Sequence, residues 1–273
     1  MKRAFFSSSL VEYSSSEDDD NVEKPVKRKK LPTLSASLVV AAPIDDPSLH
    51  QGRKRNTPHV DGQWAAHVYI SLGLNRKSAL FSLLSQAIQS AKDEIPSLND
   101  FWSKDGDVGP ELHVSLSRPI YLRAYQREDL KRAVKSLALT HQRFTISFST
   151  FAELTNDEGT RTFLTIEVGA GHHQLSQLST ALAPTLQGLR QKGYYAEPRF
   201  HASVAWALLD EAPSESQTQF PTIPGIPSRL IDKLNQEYQS GLSAKSMNFY
   251  DADTICVKIG KEVFSWRLKG SGQ

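Results

Sequence analysis

Two His-x-Ser triplets constrain this chain more than any other feature. They occupy His113–Ser115 and His201–Ser203, and each lies in a run that alternates polar and apolar residues. Because residues i and i+2 of a β-strand point to the same side, each run predicts a strand with an imidazole and a hydroxyl on one face. The opposite faces are apolar: Leu112, Val114 and Leu116 in the first run, and Phe200, Ala202, Val204 and Trp206 in the second. Two such strands facing one another would surround one pocket with two imidazoles and two hydroxyls, which can transfer protons at a phosphodiester without a metal ion.

The pair of triplets carries more information than either triplet alone. In a chain of this composition about one His-x-Ser triplet is expected by chance, so a single one indicates no more than a half-buried strand histidine. Both triplets here have the same alternation, and both follow a predicted amphipathic helix. We therefore interpret them as equivalent positions in two halves of one fold.

The predicted elements support this interpretation, since strand, helix, His-x-Ser strand, helix and strand occur twice in the same order. The first set comprises a strand at 64–72, a helix at 77–94, the strand of His113, a helix at 127–139 and a strand at 143–154. The second comprises a strand at 161–168, a helix at 174–192, the strand of His201, a helix at 228–240 and a hairpin at 254–268. We expect one domain at 59–273, with two lobes (about 59–154 and 155–273) related by a pseudo-twofold axis.

Residues 1–58 predict a disordered N-terminal arm, because serine runs, an acidic run at Glu17–Asp20 and a Pro/Ala-rich stretch offer little apolar surface to bury. Within this arm, Lys27–Lys30 is a basic cluster typical of a nuclear-import signal or an RNA-contacting tail. A solvated run of charge explains the cluster equally well. The first interpretation places the protein in the nucleus.

Composition excludes several classes of protein. The chain has one cysteine, Cys256, in an apolar strand, so an intrachain disulfide and a thiolate zinc site are excluded and core packing is expected. No apolar run approaches the roughly 20 residues of a membrane span. The net charge of +2 arises within the first 60 residues, so the folded part is neutral overall. A neutral fold suits recognition of a short RNA end better than the coating of a long strand.

Several stretches are similar to one known family. In order along the chain they are Gly52–Arg55, Trp64–Tyr69, His113–Ser117, Thr160–Phe163, Tyr195–Pro198 and Phe200–Trp206. On these stretches the chain resembles the 2H phosphoesterase superfamily and, within it, the family of U6 small nuclear RNA phosphodiesterases. The resemblance runs from about residue 52 to the C-terminal strands. It implies a bilobal α+β fold in which two antiparallel sheets face a central cleft and the helices lie outside.

The resemblance also implies an activity and its site. It implies a 3′–5′ exoribonuclease that trims uridines or a terminal adenosine from U6 RNA and leaves a 2′,3′-cyclic phosphate, which some family members open to a 3′-phosphate. His113 and His201 would form the acid–base pair, without an assignment of either role to either ring. Ser115 and Ser203 would donate hydrogen bonds to the non-bridging oxygens. We expect no cofactor, no metal ion, no membrane contact and a monomer that acts on an RNA 3′ end.

Four further residues are candidates for substrate binding. Tyr195 occupies the position where the family has an aromatic ring that stacks on a base, and we expect its neighbour Tyr194 to point the other way. Pro198 and Arg199 follow in the same stretch, and Arg199 is either a phosphate ligand or a solvated surface residue. Asp157 lies in a predicted turn where a relative has a nucleotide-contacting amide, so an acid there departs from the family pattern.

Two other functions stay open. A 2H enzyme could act on cyclic nucleotides, and the fold could serve a non-catalytic RNA 3′-end binder. The presence of both histidines and both serines favours catalysis. Among the other histidines, His67 lies on an apolar strand and is expected to be packed, whereas His172 and His173 are expected to shape the start of a helix.

Overall fold

The computed structural model describes residues 46–53, 60–102, 110–210, 220–244 and 249–270. The basic cluster Lys27–Lys30 and the acidic run Glu17–Asp20 lie outside these residues. Within them the fold is α+β, as predicted, and no helix is both long enough and apolar enough to cross a membrane.

The helices carry the apolar stripes that the sequence predicts. They are α1 (Ala79–Glu94), α2 (Arg127–Thr140), α3 (His172–Gly188) and α4 (Ser228–Leu242). In α1 the stripe of Leu80, Leu84, Ala87, Ile88 and Ala91 is buried. The helix begins where the Ser78 hydroxyl accepts a hydrogen bond from the Phe81 amide at 3.1 Å, which satisfies one of the free amides of the first turn.

Helix α3 ends earlier than predicted. The sequence indicates a helix to Lys192 that stops at Gly193, whereas the helix ends at Gly188. The Arg190 backbone has a φ of 59°, in the left-handed region, and the Gln191 amide donates to the Leu186 carbonyl at 2.8 Å. This is a capping geometry in which glycine is usual, so an arginine gave no signal of it.

The described strands range from two to eleven residues, and the central strand that carries His113 has five. In chain order they are β1 (Gln63–Gly73), β2 (Asn99–Asp100), β3 (Glu111–Ser115), β4 (Ile120–Arg123), β5 (Phe144–Ile146), β6 (Phe148–Thr155), β7 (Arg161–Val168), β8 (His201–Leu209), β9 (Thr222–Ile223), β10 (Tyr250–Ala252), β11 (Thr254–Ile259) and β12 (Glu262–Arg267). The predicted strand at 143–154 is broken at Ser147, because the Ser147 backbone and hydroxyl bond to Gly169 and Ala170 beyond the end of β7. As a result β5 leaves the main sheet and pairs with β10.

Ten of the described strands form one sheet. Its central order is β12-β11-β1-β3-β8-β7-β6, while β4 adds to β1 and both β2 and β9 add to β8. All of these pairs are antiparallel except β8 with β9. The helices and one face of the sheet share a single core, in which Val68, Ile70, Val114 and Ala202 are fully buried. The side chains that alternate with these residues lie on the other face of the central strands.

The two predicted sheets are joined at a single backbone pair, Val114 with Ala202, where β3 meets β8. One half of the sheet comprises β12, β11, β1 and β3, and the other comprises β8, β7 and β6. Each half takes strands from both predicted lobe ranges, since β11 and β12 pair on the side of β1 and β6 pairs with β7. The division into lobes by sequence order stays a prediction.

Part of the predicted arm is ordered. The segment Asp46–Arg53 contains a 3-10 turn at Pro47–His50, whose first residues are capped by the Asp46 carboxylate. Near the end of the segment, Gly52 is buried. Gly52 has a φ of +80°, and a Cβ there would lie 2.6 Å from Leu208 Cδ1. Only glycine fits both the backbone angle and this close approach. This segment of the predicted arm therefore packs on the end of β8, and the domain boundary at residue 58 stays a prediction.

Candidate active site

The pairing of Val114 with Ala202 brings the two triplets together. In an antiparallel pair, the residues on either side of this position are also opposite one another, so His113 lies beside Ser203 and Ser115 lies beside His201. Cβ atoms of such partners are about 4.5–5.5 Å apart. The triplets therefore share one face of one sheet, side by side, rather than facing one another from two separate sheets as predicted.

These four side chains open into a cleft of about 720 Å³. Aromatic and charged side chains supply much of the rest of its wall: Arg118, Tyr121, Asp157, Glu158, Arg161, Phe163, Arg190, Lys192, Tyr194, Tyr195, Glu197 and Arg199. Five of them are basic and three are acidic. This wall has an excess of positive charge that the composition of the whole fold does not reveal.

His201 is oriented by a backbone hydrogen bond. Its Nδ1 lies 2.6 Å from the Arg199 carbonyl oxygen, which can only accept, so Nδ1 carries the proton and Nε2 is left for the substrate. Burial lowers the pKa of His201, while the bond to Arg199 and the nearby Glu167 carboxylate oppose that shift.

His113 is oriented by packing. Its ring meets His67 edge-on at 5.8 Å and Tyr69 at 5.5 Å between centroids, and these two rings stack on one another at 4.8 Å. Burial lowers the pKa of His113, Glu111 opposes the shift, and the charges of His201 and Lys258 lower the pKa further. The charge of His201 affects the pKa of His113 because the two imidazoles are close together.

His67 is packed, as predicted, although the sequence does not indicate that it packs on His113. Burial, aided by the charges of His113 and Lys258, lowers the pKa of His67 to about 4, so this ring is neutral at physiological pH. Behind it, Tyr69 and Cys256 share a hydrogen bond, and burial raises the pKa of the thiol to about 11. Cys256 is 3% exposed and belongs to the core, as expected.

Tyr195 forms a cluster at the rim of the cleft with two residues from other elements. Its hydroxyl donates to Asp157 Oδ1 at 2.7 Å, and Arg118 Nη1 donates to Asp157 Oδ2 at 3.2 Å. The Arg118 guanidinium carbon lies 3.9 Å from the centroid of the Tyr195 ring. Tyr195 remains 40% exposed, whereas Tyr194 is half-buried and stacks on Phe200 at 5.5 Å. The two tyrosine rings nevertheless meet edge-on with centroids 5.0 Å apart, and both line the cleft, so they do not point in opposite directions as predicted.

The other predicted binding residues are placed differently. Arg199 lines the cleft and pairs with Glu167, its Nε donating to Oε1 at 2.8 Å, so it is not a freely solvated arginine. Pro198 does not line the cleft. Its carbonyl accepts from His172 Nε2 at 3.1 Å, and His172 begins α3 as expected.

Sequence reasoning missed Arg118 and the end of α3. Arg118 follows the first triplet but is out of step with its alternation, so no local pattern marks it. Its Nε has no hydrogen-bond partner among the described residues. Arg190 and Lys192 reach the cleft because α3 stops short of them, which the predicted helix boundary concealed.

Strand β8 has one residue more than β7 beside the site. Thr165 pairs with Ser203 and Leu164 pairs with Ala205, which leaves Val204 as a bulge. Such a bulge shifts the alternation of every residue beyond it.

The bulge changes the face that Trp206 occupies. Trp206 pairs with Phe163, two residues along β7 from the partner of Ser203, and therefore lies on the face of Ser203. The prediction that Trp206 lies opposite His201 is wrong, because regular alternation does not reveal an inserted residue. Trp206 is 3% exposed, and the Arg53 guanidinium lies over its ring.

The described residues include no group of three or more His, Cys, Asp or Glu side chains that could hold a metal ion. The independence from metal stays a prediction that an assay must test.

Comparisons with known proteins agree with this site. Residues 28–267 match the HVSL family, described as an uncharacterised conserved protein, and His113–Leu116 reads His-Val-Ser-Leu in this chain. The chain is 30% identical to mouse U6 snRNA phosphodiesterase 1 over 75% of its own length and 81% of the mouse protein. It is 29% identical to the human protein of that name over 74% and 80% of the two chains.

A solved structure shares the fold. Kluyveromyces marxianus Usb1, in a structure with uridine monophosphate, is 15% identical and superposes with a TM-score of 0.50 over 75% of this chain and 98% of that one. This similarity supports the bilobal α+β architecture. With the matched family and the mouse relative, it shows that the chain belongs to the HVSL family of U6 snRNA phosphodiesterase 1 proteins.

Proposed function

We propose that this protein is a 3′–5′ exoribonuclease that trims the oligouridine 3′ end of U6 small nuclear RNA. The relatives are named for phosphodiesterase action on this RNA. The observation that carries the proposal is the backbone pair Val114 with Ala202, because it sets two imidazoles and two hydroxyls at one face of one cleft. This set matches the needs of RNA cleavage by the substrate's own 2′-hydroxyl.

The reaction is an internal transesterification. One imidazole takes the proton of the 2′-hydroxyl, whose oxygen attacks the adjacent phosphorus, and the other imidazole gives a proton to the departing 5′-oxygen. The shortened RNA ends in a 2′,3′-cyclic phosphate and the released nucleoside carries a 5′-hydroxyl. One ring starts neutral and the other protonated, so the two exchange protonation states in each turnover.

The environment of the rings fits this exchange. Burial lowers the pKa of both histidines, which favours the neutral form that a base requires. A bound phosphodiester anion stabilises the imidazolium form of the other ring by its charge. Nε2 of His201 is the atom that exchanges the proton, since its Nδ1 is engaged by the Arg199 carbonyl.

Ser115 and Ser203 are suited to donate to the non-bridging oxygens as charge develops there. Each is next to the histidine of the other strand, so a hydroxyl lies beside each imidazole. A positioned donor of this kind contributes about 2–4 kcal/mol to the lowering of the barrier.

Tyr195 is proposed to stack on the terminal base. The Asp157 carboxylate fixes its hydroxyl and Arg118 covers one of its ring faces, so the ring is held as a platform. Base stacking on such a ring contributes roughly 1–3 kcal/mol. In this chain Asp157 therefore supports the platform, whatever contact it makes with the nucleotide. The Usb1 structure with uridine monophosphate is compatible with a nucleotide in this cleft.

The proposal extends to location and assembly. We propose that the enzyme acts as a monomer. A substrate in the spliceosomal RNA pool and the basic cluster Lys27–Lys30 together support a nuclear location for it. Replacing this cluster with alanines in a fluorescent fusion should move the protein into the cytoplasm. A fusion that stays nuclear would remove this support.

The decisive experiment identifies the RNA terminus that the purified protein produces. Mass spectrometry of an oligouridine-tailed RNA after incubation should show loss of single nucleotides and a 2′,3′-cyclic phosphate, or a 3′-phosphate if the ring is then opened by water. A 3′-hydroxyl product would contradict the transesterification. Cleavage of a cyclic mononucleotide alone would favour a 2H cyclic nucleotide phosphodiesterase, and binding without cleavage would favour an RNA 3′-end binder.

A further inference from the structure

Two stretches that resemble the family take no part in the chemistry above, yet they meet beside one end of the cleft, where Arg161 and Phe163 line it and Arg53 lies next to it. The Arg53 guanidinium carbon lies 5.3 Å from the centroid of the Trp206 ring, and that of Arg161 lies 5.5 Å from the centroid of Phe163. Phe163 and Trp206 are cross-strand partners on β7 and β8, on the face that carries Ser203. The two guanidinium groups are therefore neighbours above one aromatic floor, and we call them the arginine pair.

The arginine pair is an unbalanced concentration of positive charge. None of the ion pairs among the described residues includes Arg53 or Arg161. Burial and the charge of Arg53 both lower the pKa of Arg161, which nevertheless stays protonated at neutral pH. Glu158 is the carboxylate that faces Arg161, and the Asn156 amide donates to it at 2.6 Å. Two adjacent arginines without an ion-pair partner stabilise an anion that comes between them, and planar guanidinium groups suit phosphate oxygens.

The structure holds Arg53 in place for this role. Its Nε donates to the His50 carbonyl at 2.9 Å, and the residue before it, Gly52, is packed against Leu208 and Phe220. The guanidinium is thus oriented by the backbone of the Asp46–Arg53 segment and by the Trp206 ring. A donor that is already ordered loses less conformational entropy when it binds a ligand.

We propose that the arginine pair binds a backbone phosphate of the RNA on the 5′ side of the scissile linkage. This inference rests on the proposed function. Arg161 is four residues along β7 from Thr165, the partner of Ser203, which is about 13 Å. One phosphate group cannot contact both ends of that distance. A substrate that ends in a 3′-hydroxyl has no phosphate on the 3′ side of the scissile linkage, so in the first cleavage the arginine pair can contact a phosphate on the 5′ side alone. The pair therefore selects for substrates with several nucleotides rather than for a dinucleotide.

The test compares two substrates in variants of the pair. Arg53→Gln and Arg161→Gln should each lower kcat/KM for an oligouridine of several nucleotides about tenfold more than for the dinucleotide UpU, which has only the scissile phosphate. Arg53→Lys and Arg161→Lys keep the charge and should retain most of the discrimination. Arg229→Gln removes an exposed positive charge from α4, outside the cleft, and should show no difference between substrates.

Salt dependence supplies a readout that does not require catalysis. With an oligouridine whose 2′-hydroxyl at the scissile position is replaced by hydrogen, log K should fall less steeply with log salt in either Gln variant. The slope should decrease by about 0.7 for each RNA phosphate that the variant no longer neutralises. Gly52→Ala, which displaces Arg53, should reduce the slope as Arg53→Gln does. Should Arg161→Gln fail to fold, the exposed Arg53 still carries the test.

Each outcome separates this inference from the proposed function. An equal loss on UpU and oligouridine, or an unchanged salt slope in both Gln variants, would overturn the role of the arginine pair. If the wild-type protein cleaves neither substrate while the Gln variants still reduce the slope, the proposed function fails and the phosphate subsite stands.

Discussion

The two histidines occupy equivalent positions and have different surroundings. His113 is enclosed by the rings of His67 and Tyr69, and its own ring has no hydrogen bond to another described residue. His201 is oriented by the Arg199 carbonyl, beside the ion pair of Arg199 with Glu167. The pseudo-symmetry of the fold thus places the rings, while the neighbours of each ring set its proton affinity. This difference lets the two titrations be assigned separately.

The largest effect is expected from removing either ring. His113→Ala and His201→Ala should each lower trimming by about 10²–10⁴-fold while the RNA still binds, because each deletes one proton-transfer step. Initial rates on oligouridine and binding by fluorescence anisotropy would measure this. His173→Ala, an exposed ring outside the cleft wall, is the matched control. A variant of either catalytic candidate with undiminished activity would break the comparison between the two strands.

The buried His67 ring should make the folded protein less stable at acidic pH. The pKa of His67 is about 4 in the fold against an ordinary 6.5, so the unfolded chain binds this proton first. The free energy of unfolding should therefore fall as pH decreases from 6.5 to about 4, by on the order of 3 kcal/mol from this ring. Urea unfolding of wild type and His67→Gln across this range would measure the difference. Parallel stability curves for the two proteins would contradict a buried neutral ring.

The bell-shaped pH profile of kcat/KM should be centred below pH 6.5. Burial lowers the pKa of both His113 and His201 in the free enzyme, and kcat/KM reports the free enzyme. The rising limb belongs to the base and the falling limb to the acid, so both limbs shift toward low pH. The kcat profile should lie at higher pH, since the bound anion stabilises the imidazolium. A kcat/KM optimum above pH 7 would contradict this expectation.

Two substitutions should move the limbs in opposite directions and so assign them. Glu167→Gln removes a carboxylate that raises the pKa of His201, so the limb of His201 should move to lower pH. His67→Ala opens the packing around His113 to water, so the limb of His113 should move to higher pH. Shifts of about 0.5–1 pH unit are expected for single neighbours. The limb that responds to each substitution identifies the base and the acid, and a common shift of both limbs would show that the rings titrate as one coupled unit.

The smallest effect, none at all, is expected from metal removal. Treatment with EDTA should leave trimming unchanged, because two imidazoles carry the proton transfers in the proposed mechanism. Dialysis against the chelator followed by addition of Mg²⁺, Mn²⁺ or Zn²⁺ would test this. A strict requirement for any of these ions would rule out the mechanism on both strands at once.

Local patterns in the sequence predict the centre of the site well. The alternation around His113 and His201 has the two-residue period of a strand, and the apolar neighbours Leu112, Val114 and Ala202 are buried where that period requires. The strand Arg161–Val168 has the bounds that were predicted, and the predicted hairpin at 254–268 begins with the strand Thr254–Ile259. These features depend on neighbours in the chain, which a single sequence contains.

The rim of the cleft depends on contacts that a single sequence does not contain. Arg118, Asp157 and Tyr195 come from three separate segments, and no spacing connects them. The Val204 bulge and the left-handed Arg190 are equally hidden, because nothing in the chain marks an inserted strand residue or a capping position held by arginine. Tertiary pairing decides each of these features.

The extra residue at Val204 puts β8 out of frame with β7 from that point onward. Deleting one residue between Ser203 and Trp206 would restore regular alternation along β8. The Trp206 indole would then point away from Arg53 and toward the helices. The contact between Arg53 and the Trp206 ring therefore depends on the length of this strand as well as on its side chains. Among naturally varying or engineered sequences, a gain or loss of a single residue here should be far less tolerated than a conservative exchange at the same position.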